Sequence, residues 1–372
     1  FNLHCILYNI MISNYIEKLY IINYKNIDEK EFIFDHKINC FFGKNGVGKT
    51  NILDSIFHLC IGKSYFKLRN DQIINKENDF MMIEGSFLCN DKRENIVCSL
   101  KRGRLKILKR NKKTYKKLSN HLGLIPIVLI SPYDTDLIND GSFERRKFID
   151  SIISQRDKTY LNQLIDYNKI IQNRNKLLKN SNYNTKNNLE MIDIYDEQLI
   201  KLSKPIYEVR KLFIEEFGPY FLEKYNQISS GIESVSLTYK SDLSEKKMSV
   251  LLKESLKKDF ILQYTSSGIH KDDLVFNIDK YSIKKFGSQG QQKSFIIALK
   301  LAQFEYLKEK TGSSPILLMD DIFDKLDFDR VKNIVEIVNL TNFGQLFISD
   351  TDEDRINKVL KSLNLSSKIF NL

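Results

Sequence analysis

Eight consecutive residues, Gly43-Lys44-Asn45-Gly46-Val47-Gly48-Lys49-Thr50, constrain this chain more than any others. They spell G-x-x-x-x-G-K-T, a phosphate-binding P-loop. Glycines let the backbone wrap a phosphate chain and aim its N–H groups inward. Lys49 brings a positive charge to the outer phosphates, and Thr50 offers a hydroxyl to Mg²⁺. The flanks agree with the motif. Ile38-Asn39-Cys40-Phe41-Phe42 reads as a buried strand. Asn51 to Phe57 has helical spacing, so a helix N-terminus would face the phosphates. Strand, loop and helix in that order demand an α/β fold.

At 372 residues the chain suits two domains, and 42% hydrophobic with 28% charged residues is the composition of a folded protein. No apolar run reaches the ~18 residues a membrane span needs. Residues 1–10 are apolar but lack a basic leader and a small-residue cleavage site, and read as an extension ahead of Met11. Cys5, Cys40, Cys60, Cys89 and Cys98 form no C-x-x-C pair and suit a reduced, cytoplasmic compartment. The histidines do not cluster with them, so the expected metal is Mg²⁺ carried with a nucleotide. A net charge of +11 fits an anionic partner such as nucleic acid, and equally the lysine-rich drift of an AT-rich genome.

From Met11 to about Ile130 the pattern is strand-rich, with Phe80–Phe87 and Asn95–Leu100 reading as paired strands. From Ser131 it turns helical. Phe143 to Leu178 is proline-free, with Tyr160, Leu164, Tyr167, Ile171 and Leu178 on a four–three spacing. Lys179 to Asn188 reads as an exposed polar turn. Ile192, Tyr195, Leu199, Leu202, Ile206, Val209 and Phe213 then form a second seam, which Pro205 should kink or break. Two such stretches make an antiparallel helical hairpin. Strand–helix alternation returns after Phe260, so β-rich segments flank a helical insertion.

Asp320 and Asp321 close the apolar run Ile316-Leu317-Leu318-Met319, the Walker B pattern. A buried strand there holds Asp320 within reach of Mg²⁺, and Asp321 can orient water against a γ-phosphate. Ser288-Gln289-Gly290-Gln291 opens a helix just ahead of that strand, as the signature of ABC ATPases does. In that superfamily the signature meets ATP bound to the opposite subunit. Asp324-Lys325-Leu326-Asp327 fits a D-loop crossing the same interface. Ser349-Asp350-Thr351 stands where a switch histidine is usual, which leaves a hydroxyl or Asp350 to sense the γ-phosphate.

With these motifs in place the chain resembles the RecF family from Met11 nearly to its end. The further matching segments are Gly62-Lys63-Ser64-Tyr65, Ser131-Pro132-Tyr133-Asp134, Arg145-Arg146-Lys147-Phe148-Ile149-Asp150 and Gly268-Ile269-His270-Lys271-Asp272-Asp273-Leu274. Lys63 and Lys271 replace arginines of the family pattern, and Asn111-Lys112 stands where an Asn-Gly turn is usual. The resemblance implies an ABC-type ATPase head, mixed sheets around the P-loop helix, over residues 11–130 and 268–372. An inserted helical lobe with an antiparallel arm occupies 131–267. It implies ATP and Mg²⁺ as cofactors, bound by Gly43, Lys44, Asn45, Gly46, Val47, Gly48, Lys49, Thr50 and Asn51 and by Ser288, Gly290 and Gln291. Thr50 and Asp320 hold the metal, and Asp321, Lys49 and Ser288 act in catalysis. It implies an ATP-dependent homodimer that clamps single- and double-stranded DNA at gaps, in DNA repair, replication restart and the SOS response. RecR, RecO and RecA are its implied partners.

Lys101 to Lys117 is dense in lysine and arginine and free of acid, which makes Arg102, Arg104, Lys106, Lys109, Arg110, Lys112 and Lys113 candidate phosphate contacts. A merely solvated lysine-rich surface is the alternative reading. Arg145 and Arg146 read first as a solvated helix face. His270 reads equally as a satisfied hydrogen-bonding residue or a nucleotide contact. Two rival functions share the head: the ATPase subunit of an ABC transporter, and an SMC-like chromosome-organising protein. The helical insertion is too long for the first and far too short for the arms of the second.

Overall fold

The computed structural model describes residues 12–180, 186–229, 231, 233–323, 328–340 and 344–372. The expected extension 1–10 and the expected D-loop 324–327 lie outside them. The chain divides into two compact units. One runs to Pro132 and resumes at Gln303; the other is Tyr133–Ala302. This partition places residues 268–302, expected from sequence in the head, with the inserted segment.

The first unit contains a five-stranded parallel sheet in the spatial order Lys368–Asn371, Ile38–Phe42, Gln345–Asp350, Ile316–Asp320, Ile127–Ile130. The three central strands are buried throughout, which requires cover on both faces and explains their near-continuous apolar runs. A six-stranded antiparallel sheet accompanies it, ordered Ile27–Ile33, Tyr15–Tyr24, Phe80–Cys89, Lys92–Lys101, Ile107–Arg110, Lys113–Thr114. Here burial alternates along the strands, because only one face looks inward.

The P-loop helix Lys49–Ile61 packs against strands of both sheets. Its Ile52, Leu53, Ile56 and Leu59 share one core with Phe41, Leu318 and Phe347 of the parallel sheet and Leu19, Met81, Ile83 and Ile96 of the antiparallel one. The approach is close: a Cβ on Gly85 would lie 2.9 Å from Leu59 Cδ1. Gln345 links the sheets by hydrogen bonds. Its side chain accepts from Ile16 N at 2.8 Å and donates to Ile16 O at 2.9 Å and to Asp35 O at 2.7 Å. Cys40, Cys60, Cys89 and Cys98 are buried free thiols of this unit, and burial pushes all four up, Cys40, Cys89 and Cys98 to about 12.

The second unit is built on the helices Ser142–Arg156, Lys158–Asn180, Lys186–Ser229 and Met248–Leu262, with a small antiparallel sheet of Val235–Lys240, Asp273–Ile278 and Tyr281–Ser282. The first expected helix is two. Asp157 is extended (φ −118°, ψ 103°), and its carboxylate caps the second helix by accepting Tyr160 N at 2.9 Å. The second seam lies on one helix, Lys186–Ser229, with Pro205 and Pro219 inside it. Of the kink or break expected at Pro205, the break does not occur. The carbonyls deprived of a donor belong to Lys201 and Glu215, both exposed, so water can serve them. The two seam helices pack together, burying Tyr160, Tyr167 and Leu178 with Ile192, Leu199, Ile206 and Phe213. Part of the expected polar turn, 181–185, lies outside the described residues.

Two ion networks knit this unit. Arg174, fully buried, pairs with Asp196 and Asp259 at 2.7 Å each and donates to Thr265 Oγ1 at 2.9 Å. Arg210 holds both oxygens of Asp150 at 3.0 Å, Asp272 Oδ2 at 3.1 Å and Ile269 O at 2.8 Å.

Candidate nucleotide site

The loop between strand Ile38–Phe42 and helix Lys49–Ile61 takes backbone shapes that ordinary residues avoid. Gly46 has φ 86° and Gly48 φ 110°. A Cβ on Gly48 would also meet Asn26 Oδ1 at 3.2 Å. Asn26 sits in the turn between strands Tyr15–Tyr24 and Ile27–Ile33. It donates to Gly46 O at 2.9 Å and accepts from Asn51 Nδ2 at 2.6 Å. The loop tip, Lys44-Asn45-Gly46, is exposed, and Val47 is partly so. Lys49 folds over the loop, donating to Gly43 O at 2.6 Å and Lys44 O at 3.1 Å. Its ammonium is thereby held against the loop's own carbonyls.

Thr50 and Asp320 meet although 270 positions apart: Thr50 Oγ1 donates to Asp320 Oδ1 at 2.9 Å. Ser349 Oγ donates to the same oxygen at 2.7 Å. Burial pushes the Asp320 carboxyl up, helped by the neighbouring Asp321 carboxylate; the Ser349 and Thr50 hydroxyls and Lys49 pull against it. Asp321 is left-handed at φ 49°, and its N–H donates to Ser349 O at 3.1 Å. A non-glycine residue there carries backbone strain, a common mark of functional positions. Of the two candidates at the end of strand Gln345–Asp350, the Ser349 hydroxyl joins this cluster and Asp350 does not. Asp350 is fully buried and held by Arg355 Nη2 at 2.7 and 3.0 Å.

The signature segment, in the other unit, is a helix cap. Ser288 N donates to Gln291 Oε1 at 2.7 Å, and Gln291 N donates to Ser288 Oγ at 3.2 Å. This reciprocal capping box opens helix Gln289–Thr311. Ser288 is exposed and Gly290 partly so.

Several matched segments are structural within their own unit. His270 Nε2 donates to Thr265 O at 2.9 Å, so Nδ1 accepts from Tyr167 OH at 2.8 Å. Burial lowers its pKa to about 4, and the ring is a satisfied, neutral core group. Arg145 and Arg146 are not a solvated face. Arg145 clasps Asp273 at 2.7 and 3.1 Å, and Arg146 donates to Asp272 O at 2.6 Å.

The basic segment separates into two groups. Arg102 donates to Asn78 O, Asp71 O and Asn75 O at 2.9–3.2 Å, Lys106 to Gly62 O, and Arg110 to both oxygens of Glu94. These three brace loops and strands within the chain. Arg104, Lys109, Lys112 and Lys113 are exposed. Asn111 and Lys112 form the tight turn of the hairpin at φ 48° and 67°, a shape that favours glycine at the second position.

The sequence reading also missed Asp54, on the inner face of the P-loop helix. It accepts from Tyr24 OH, Ser64 Oγ and Tyr65 N and pairs with Lys25, each at 2.7 Å. An acid within the apolar stripe Ile52–Phe57 was its signal. The contact explains the segment Gly62-Lys63-Ser64-Tyr65: Ser64 and Tyr65 fasten it to the helix.

Residues 38–349 match the family model described as "AAA domain, putative AbiEii toxin, Type IV TA system". The chain is 56% identical to the DNA replication and repair protein RecF of Flavobacterium johnsoniae, over 96% of this chain and 100% of that protein. It is 46% identical to RecF of Parabacteroides distasonis, over 95% and 96% of the two chains. A solved structure of the recombination mediator protein RecF with ATP, from the RecFOR pathway, superposes with TM-score 0.85 at 29% identity over 92% of this chain and 93% of that one. An Smc head superposes at 0.56 with 17% identity over 93% and 91%, a likeness of fold alone. The reading as a DNA replication and repair protein thus stands above the transporter and SMC alternatives, and the chain belongs to the RecF family.

Proposed function

We propose that this chain is an ATP-driven clamp on DNA, acting in recombinational repair and replication restart. The meeting of Thr50 and Asp320 at 2.9 Å under a lysine-closed glycine loop carries the reading. In this reading the unit bearing Gly43 to Asn51 and Asp320 is the ATP-binding head, and the helices of 131–267 are an inserted arm. Thr50 and Asp320 present a hydroxyl and a carboxylate oxygen from two segments, the hard oxygen donors that suit Mg²⁺. A carboxyl that burial has pushed up gains most from such a cation. When bound, Mg²⁺ would neutralise phosphate charge.

The remaining steps fall to the chain's own residues. Lys49 leaves the carbonyls of Gly43 and Lys44 to meet the outer phosphates. Ser349, already on Asp320, serves as the γ-phosphate sensor, and Asp321 positions the attacking water. Ser288, Gly290 and Gln291 complete the site on a second copy, so nucleotide binding and dimer closure are one event. Slow hydrolysis would then reopen the clamp.

DNA contacts are sequence-independent and electrostatic, with Arg104, Lys109, Lys112 and Lys113 of the basic hairpin as candidates. Support for DNA as partner comes from the family. RecO and RecR, the other components named by the RecFOR pathway, and RecA are proposed partners on the same footing. A cytoplasmic location accords with four buried free thiols. Among the described residues no helix is long and apolar enough to cross a membrane.

The test is sedimentation and gapped-duplex binding with and without ATP and Mg²⁺. Wild type should dimerise and bind DNA more tightly with ATP, and Lys49→Ala should do neither. Equal dimerisation and DNA binding by Lys49→Ala in both conditions would sink the clamp.

A further inference from the structure

We propose that Glu233 is a positioning residue that fixes the signature in its phosphate-donating form and ties it to the end of the long helix. The inference rests on the reading that Ser288 meets a nucleotide held by a second copy. The capping box leaves little freedom. Gln291 Oε1 already accepts Ser288 N–H at 2.7 Å, so the other end of that amide is Nε2, a donor only. It meets Glu233 Oε1 at 2.9 Å. Glu233 Oε2 accepts the hydroxyl of Tyr225, buried in the last turns of helix Lys186–Ser229. The Tyr225 ring lies 6.0 Å from that of Phe295, on the signature helix itself.

A carboxylate offers acceptors only, so Glu233 permits one orientation of the Gln291 amide. That orientation keeps Oε1 on Ser288 N–H, while Ser288 Oγ accepts the Gln291 backbone N–H at 3.2 Å, which leaves its O–H proton to point outward. A hydroxyl donor is what a phosphate oxygen requires. Without Glu233 the amide can turn over, place its NH₂ against Ser288 N–H, and break the half of the box that holds the Ser288 backbone in place. The same carboxylate joins arm and signature, so displacement of the helix end would be felt at Ser288.

The experiment compares full-length wild type, Glu233→Ala, Glu233→Gln and Ser288→Ala in two assays. One is affinity of the dilute monomer for a fluorescent ATP analogue. The other is the dimer dissociation constant with ATP and Mg²⁺. Glu233→Ala should keep its monomer affinity and dimerise about tenfold more weakly, as expected when a hydrogen bond to a charged phosphate is weakened. Glu233→Gln, whose carbonyl can still accept from Gln291, should recover most of the loss. Joint loss of monomer affinity and dimerisation would mark Glu233 as merely structural and overturn the proposal. So would normal dimerisation of Glu233→Ala beside weakened Ser288→Ala. Normal dimerisation of Ser288→Ala would instead overturn the composite site, and the proposal with it.

Discussion

Asp54 and Asp320 are both buried carboxylates of the same unit, 0% and 2% exposed, and the fold treats them in opposite ways. Asp54 is completed from within. Two hydroxyls, a backbone N–H and the Lys25 ammonium meet it, all at 2.7 Å. Asp320 receives two hydroxyls on one oxygen, and among the described residues it forms no ion pair. Its carboxyl is accordingly pushed up by burial. A carboxylate that holds a fold together is supplied with a cation by that fold. One proposed to serve a ligand is left wanting one.

The largest test of this contrast is Asp54→Asn. An amide cannot accept from Tyr24, Ser64 and Lys25 on one side and Tyr65 N on the other, and it strands a buried ammonium. Unfolding free energy in urea should fall by about 3–5 kcal/mol. A loss below about 1 kcal/mol would break the comparison. Asp320→Asn should do the reverse. Removing a charge that burial disfavours leaves the nucleotide-free protein as stable as wild type or more so. ATP turnover should nevertheless fall by about a hundredfold or more, as when one charge-stabilising group of an active site is removed. Equal losses of stability in the two variants would erase the distinction.

The smallest effect is the pH dependence. The folded Asp320 carboxyl lies above its ordinary 3.8, so between that value and its folded value the native state binds more protons than the unfolded chain. Its contribution to stability is therefore present at the acid end and is lost as pH rises through the folded value. Urea titrations of wild type and Asp320→Asn should show the variant's relative advantage widening from about pH 4 towards neutrality. His270 titrates in both proteins and cancels from the difference.

What could be read from sequence followed from where the partners lie. Gly43 to Thr50 and Ile316 to Asp321 are contiguous, and each carries its own structural context. Their meeting was therefore legible across 270 positions. Lys25 with Asp54 and Glu233 with Gln291 are pairs that no local spacing announces. Arg210 draws its carboxylates from positions 60 and 62 residues away on either side. The basic hairpin shows the opposite case. Arg102, Lys106 and Arg110 look like neighbours of Lys109 and Lys112 in sequence, yet strand direction and a nearby carbonyl or carboxylate turn them to structural use. A kink or break was expected at Pro205 because a proline lacks the N–H, whereas the exposure of Lys201, which lets water serve its carbonyl, has no signature in the sequence.

The four buried thiols of the nucleotide-binding unit give the molecule an internal clock. With burial pushing Cys40, Cys89 and Cys98 up to about 12 and Cys60 well above the usual thiol range, almost no thiolate exists among these four at neutral pH, and an alkylating reagent finds none of them to attack in the closed form. Cys60 lies on the P-loop helix, Cys40 on the strand that feeds it, and Cys89 and Cys98 on the paired strands of the antiparallel sheet. The order in which they become labelled therefore times the opening of helix, parallel sheet and antiparallel sheet separately, without a single engineered probe.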